Sequence, residues 1–195
     1  MSTDPSPFSR AAVLLMDYQP AILSLVQDQS EQLIARASTV LAAARAAGVP
    51  VIYVRVAFRP GHPEVSERNL LFTSVKEAGW LVMDNAASDI DTRLTPQPGE
   101  VLITKRRVGI FYGTDLEPVL RAKDVDTLIL LGVSTSGVVL STVRHAADAD
   151  YRLYVVNDCC ADPHSETHEF LMEQVFPSQA TVLTSVDFVG RLGQS

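Results

Sequence analysis

Six short apolar runs punctuate the chain: AVLLMD at 12–17, VIYVRV at 51–56, VLITK at 101–105, TLILLG at 127–132, RLYVVND at 152–158 and TVLT at 181–184. Apolar runs of this length, without a regular polar alternation, suit strands covered on both faces, as in a parallel sheet. Amphipathic segments lie between them. Over 31–48, Leu33, Ile34, Ala37, Val40, Leu41 and Ala44 recur at three- and four-residue steps, and Gly48 stands where a helix ends in the left-handed region. Further helices are expected over 114–123, with Thr114 and Asp115 as cap candidates, over the Ala- and Val-rich 135–149, and over 164–176. Strand-helix alternation of this kind implies right-handed crossovers and an α/β fold.

The stretch from 57 to 100 breaks the rhythm. It carries Pro60, Pro63, Pro96 and Pro98 and only a modest apolar patch from Trp80 to Met83. An excursion this long is expected to serve the ligand, and the aromatics Phe58, Phe72 and Trp80 favour that reading over disorder. At 195 residues, 47% of them hydrophobic, the chain fits one globular domain spanning 1–195. A net charge of -7, with the 16 Lys and Arg scattered rather than striped, leaves no electrostatic footprint for nucleic acid and points to small-molecule partners. No apolar run approaches the ~20 residues that cross a bilayer. The start MSTDPSPFSR lacks a signal-peptide layout, and the two cysteines, Cys159 and Cys160, are neighbours. Both features fit a reducing, cytoplasmic setting without structural disulfides.

Open parallel sheets bind ligands beyond the carboxyl ends of their strands, so the strand ends are where chemistry is expected. The first ends at Asp17, the second near Arg55 and Phe58, the third at Lys105, the fourth in the GVSTSG turn at 132–137, and the fifth at Asp158, Cys159 and Cys160. Asp17 and Lys105 are thereby expected to converge as a partly desolvated ion pair, which serves either acid-base chemistry or structure alone. The turn Gly132-Val133-Ser134-Thr135-Ser136-Gly137 leads into a helix whose free N–H groups could cradle an oxyanion. Its hydroxyls are read as helix caps, and the spacing matches neither a phosphate loop nor a GxSxG elbow. Adjacent cysteines with His164 and His168 lack zinc spacing, so no metal is expected. Cys159 is read as a buried small hydrophobe, and His164 and His168 as members of a solvated helix. His62 and His145 are lone histidines expected to serve the surface or packing.

Asp17 in LLMDYQ, Lys105 in ITKRRVGIFYGTDLEPVLR, and LLGVSTSGVVLSTVRHAADADY followed by VVNDCCAD make the chain resemble the isochorismatase-like, or cysteine hydrolase, superfamily from about residue 10 to 189. The resemblance implies a three-layer Rossmann-like α/β fold with a six-stranded, mainly parallel sheet, assembled as a homodimer or homotetramer and needing no cofactor. Amidases of that superfamily use an Asp-Lys-Cys trio with a non-proline cis peptide shaping the oxyanion hole. The resemblance carries the Asp and Lys onto Asp17 and Lys105, the cis bond onto Val133–Ser134, and the hole onto the N–H groups of Ser134 and Val138. The nucleophile falls on Val138: relatives read G-V-A-T-D-x-C-V where this chain reads GVSTSGVV. A valine has no ionisable proton, so an acyl-enzyme cannot form there. The Asp-x-His metal motif of nicotinamidases is likewise replaced by Val56-Ala57-Phe58.

Isochorismatases proper keep the Asp and Lys without the Cys, the Asp protonating a vinyl ether carbon before water captures the oxocarbenium ion. The resemblance therefore implies a hydrolase of a vinyl ether or C–N bond run by Asp17 and Lys105, with Phe58, Trp80 and Phe111 as pocket walls. A member that has lost catalysis and binds a metabolite or serves as a scaffold is the alternative.

Overall fold

The computed structural model describes residues 8–193; the opening residues 1–7 of the stretch read against a signal peptide lie outside that range. The six expected strands form β1 (Ala11–Met16), β2 (Val51–Val56), β3 (Val101–Lys105), β4 (Thr127–Val133), β5 (Arg152–Ala161) and β6 (Thr181–Leu183). They make one sheet in the order β3-β2-β1-β4-β5-β6, and every neighbouring pair runs parallel. The helices are α1 (Pro20–Leu23), α2 (Gln27–Ala46), α3 (Leu70–Glu77), α4 (Leu116–Ala122), α5 (Leu140–Asp148), α6 (Ser165–Phe170) and α7 (Ser185–Leu192). Among the described residues none is long and apolar enough to cross a membrane.

Successive strand side chains point to opposite faces, which sorts the core into two layers. Val13 and Leu15 of β1 join the layer under α2 and α7, whereas Ala12, Leu14 and Met16 join that under α4 and α5. β1 and β4 are buried along their whole length, which is why their runs carry no polar alternation. α2 buries all six of the residues picked out by its periodicity, and Gly48 follows its end at φ 70.

The helix expected over 164–176 is broken into α6, a wide turn over Leu171–Val175 and a 3₁₀ turn at Phe176–Ser178, and two further boundaries differ from expectation. β5 continues to Ala161 past a register irregularity against β4 between Leu130 and Gly132, and this sends Cys159 into one core layer and Cys160 into the other. The helix expected from 135 begins instead as a wide π turn, Thr135–Val139, before tightening into α5. Gly132 lets that turn sit close to the sheet, since a Cβ there would meet Val139 Cγ2 at 2.9 Å.

The 57–100 excursion holds α3, short 3₁₀ turns at Ala86–Ser88 and Thr92–Leu94, and a third apolar cluster of Val56, Phe58, Phe72 and Leu81. Gln19, fully buried, ties it to the sheet. Its amide donates to the carbonyls of Val56 (2.9 Å) and Ser88 (2.7 Å), and its Oε1 accepts from the Val56 N–H (2.8 Å). Truncation to alanine strands those backbone groups away from their partner, so Gln19→Ala is expected to cost about 2 kcal/mol, read as a lower urea midpoint at unchanged slope.

Candidate active site

The strand order reverses between β1 and β4, so the crevice beyond their carboxyl ends is the switch point at which open α/β sheets bind ligands. Asp17 closes β1 there. Its φ of 60 lies in the left-handed region, which aspartate tolerates better than most residues. Its N–H donates to the Val54 carbonyl and its own carbonyl accepts from the Gln19 N–H, both at 2.8 Å, so the turn is held from two sides.

Lys105, at the end of β3, reaches past β2 to put Nζ 2.8 Å from Asp17 Oδ2, with only 3% and 6% of the two side chains exposed. Nζ also donates to the Arg107 carbonyl at 3.1 Å. Asp17 Oδ1 is buried with no hydrogen-bond partner. Burial raises the Asp17 pKa above its ordinary value, and the charge and hydrogen bond of Lys105 pull it back only in part. Lys105 reaches one carboxyl oxygen whereas burial desolvates both, so the net direction is upward.

Both residues line a cavity of about 240 Å³ with Val133, Ser134, Gly137 and Val138 on one side and Phe72, Trp80 and Leu81 on the other. The Val133–Ser134 peptide is cis. Val138 stands in the wall, 2% exposed, one turn into the helix that follows β4.

The hydroxyls expected to cap that helix do not. Ser134 makes no side-chain cap, and Thr135 Oγ1 lies 2.8 Å from His168 Nδ1. The role falls to Asp162, just past β5, whose Oδ2 accepts from the Ser136 N–H at 2.8 Å and brings negative charge to the helix start. His168 is therefore not on a solvated face. It is half-buried between Thr135 and Asn157 Oδ1 (3.3 Å), and burial lowers its pKa. Neither contact is legible locally, because 33 residues separate Thr135 from His168 and 26 separate Ser136 from Asp162.

Two expected wall residues are elsewhere. Phe58 is fully buried behind the cavity, its ring 5.2 Å from Phe72 and 5.1 Å from His62, because its position just after β2 points it into the third cluster. Phe111 stacks on His145 at 4.3 Å and packs against the α4–α5 core layer. Trp80 does line the cavity, 44% exposed, and its carbonyl is held by His62 Nε2 at 2.6 Å. Ile22, Leu71, Val75 and Val108 extend the wall, with Leu25, Val56 and Pro163 beside them; the spacing of Leu71, Phe72 and Val75 along α3 was the available signal. Both cysteines are buried away from the cavity lining, and desolvation pushes the Cys160 thiol up to about 12 and raises that of Cys159 as well.

Set against known proteins, the isochorismatase domain matches residues 11–187. A probable isochorismatase from Pseudomonas chlororaphis is 33% identical over 192 residues, covering 96% of this chain and 87% of that protein. The maleamate amidohydrolase of Pseudomonas putida is 28% identical over 175 residues, covering 90% and 78%. A cysteine hydrolase structure from Pseudomonas syringae superposes with a TM-score of 0.88 over 99% of both chains at 23% identity, a likeness of fold. With the domain match reaching from β1 into α7 on a six-stranded parallel sheet, the chain belongs to the isochorismatase family.

Proposed function

We propose that this protein is a small-molecule hydrolase in which Asp17 is the acid-base group, Lys105 its electrostatic partner, and water, not a side chain, the nucleophile. The observation that carries the reading is a desolvated carboxyl with one oxygen on Lys105 and the other unpartnered, both residues lining the cavity beside Val138, the position that the family resemblance gives to the nucleophile. Burial favours the neutral carboxylic acid, and Lys105 stabilises the carboxylate left after the proton departs; together they suit a proton donor.

On a vinyl ether, Asp17 gives its proton to the terminal vinyl carbon, the resulting oxocarbenium ion takes up water, and the hemiacetal or hemiketal divides into a carbonyl compound and an alcohol as the proton returns. On a C–N bond the same pair would run in the opposite sense, the carboxylate drawing a proton from the attacking water while the N–H groups of Ser134 and Val138 face the developing oxyanion. The upward direction of the Asp17 pKa favours the first. Relatives named as a probable isochorismatase and a maleamate amidohydrolase keep both bond types in the test. Purified protein is to be screened against vinyl ethers, amides and ureides with Asp17→Asn as the control. Turnover of any of them that needs Asp17 supports the reading. The valine at 138 also favours a second one, a family member that binds a metabolite without turning it over; ligand binding with no turnover across the screen would establish that instead.

Val138→Cys is expected to install a selectively reactive thiol, because the new sulfur would enter the cavity beside Lys105, whereas Cys159 and Cys160 are buried with raised pKa values. Iodoacetamide labelling read by peptide mass mapping should find residue 138 modified first, by at least about tenfold in rate. Equal or slower labelling there would contradict the assigned geometry.

A further inference from the structure

We propose, building on the hydrolase reading above, that the substrate is an uncharged molecule with a short hydrocarbon body and its polar atoms confined to the reacting end. The wall opposite the acid-base pair is built from Ile22, Phe72, Val75, Trp80 and Val108, none of which carries a charge, and the Trp80 indole N–H is the one side-chain donor among these five. Among the described lining residues the charged side chains are Asp17 and Lys105, and they are bonded to each other at 2.8 Å. A cavity of about 240 Å³ lined this way suits a small ligand whose orientation is set by a few polar groups at one end.

The arginines near the strand ends, Arg55, Arg106 and Arg107, and Arg59 beside them are already engaged. Arg55 bonds Asp89 at 2.9 Å and Thr104 at 3.1 Å. Arg106 and Arg59 share Glu64 Oε1 at 2.9 and 2.6 Å, and Arg107 donates to the Arg106 and Glu64 carbonyls. None of the four lines the cavity. An anionic group on the substrate would shed its water among aliphatic and aromatic carbons, and the one cation among the described lining residues, Lys105, is buried with its Nζ held by Asp17 Oδ2 and the Arg107 carbonyl whether or not Asp17 carries its proton. Recruiting Lys105 would also remove the partner that stabilises the Asp17 carboxylate once its proton has left. An uncharged body meets neither cost, and its burial against the wall is favourable.

The test uses matched probes: hexanamide against adipic acid monoamide, and butyl vinyl ether against vinyloxybutanoate, each pair differing by a methyl or a carboxylate at the far end. Trp80 is the chain's one tryptophan and lines the cavity, so its emission reports occupancy without any need for turnover. The uncharged member of each pair is expected to bind at least tenfold more tightly. Leu71→Arg, at a half-exposed wall position that can hold a guanidinium, is expected to erase or reverse that preference. Equal or tighter binding of the carboxylates to the unaltered protein, or no change in emission with either member of either pair, overturns the proposal. Tight uncharged binding without turnover of any probe supports the ligand class and sinks the hydrolase reading. Turnover confined to carboxylated compounds does the reverse.

Discussion

Asp17→Asn is expected to lower kcat/KM by about three orders of magnitude, the contribution of a positioned acid-base group. Asparagine is the informative replacement because it tolerates the left-handed backbone at φ 60 and preserves the side-chain shape, so lost activity reports lost proton transfer and not a rebuilt turn. Its amide oxygen can still accept from Lys105, and Trp80 emission should show binding of the uncharged probes retained to within a few-fold. A variant as active as the parent would eliminate Asp17 from the mechanism. The pH profile adds a directional check. As proton donor, Asp17 must be protonated, so activity should hold at low pH and decline as pH rises through a carboxyl pKa lying above the ordinary 3.8. An activity that climbs through the same interval would assign Asp17 the base role and move the reading to C–N chemistry.

Lys105→Met is expected to destabilise the fold by about 3–5 kcal/mol at neutral pH, since Asp17 must then either bury its charge unpaired or hold a proton that the unfolded chain has released. The loss should depend on pH in a defined sense. Asp17 binds its proton more tightly in the folded chain than in the unfolded one, so the native state holds the extra proton between the ordinary value of 3.8 and the elevated one. Its contribution is therefore fully present below 3.8 and is lost as pH climbs through the folded value. Without Lys105 nothing opposes desolvation, the folded value rises further, and the window widens upward. Urea melts of parent and variant at acidic and neutral pH measure this directly: the gap between them should shrink on acidification. A gap that is constant with pH, or that grows in acid, would show that the cost lies in packing and not in the orphaned carboxylate.

The strands were legible because a parallel strand covered on both faces is apolar along its length, as β1 and β4 are, and the partly exposed β3, β5 and β6 still keep enough apolar positions to read as strands. Asp17 and Lys105 were legible for a related reason: a charged residue at the end of such a run is carried to the rim of the sheet wherever the neighbouring strands lie. Phe58 and Phe111 misled because an aromatic near a strand end serves a core as well as a pocket, and only the packing of Phe72 in front of Phe58, and of His145 against Phe111, separates the two. The cap on the helix after β4 misled because the local hydroxyls were adequate candidates, and a better acceptor, Asp162, arrives from the neighbouring strand.

What the amino-acid order determined unaided, then, was whatever depends on periodicity and position: the six strands, the course of α2, and the two charges at the strand ends, whereas the strand order and its reversal came with the fold. What only the tertiary structure decided was the identity of partners. Gln19 spanning β2 and the 57–100 excursion, His168 against Thr135, the unpartnered oxygen of Asp17 and the enclosure of its carboxyl by apolar walls are all settled by atoms brought together from distant parts of the chain. Apolar burial is a property a segment carries with it, whereas a hydrogen bond or a shifted proton affinity belongs to a pair, and the second member is chosen by the fold.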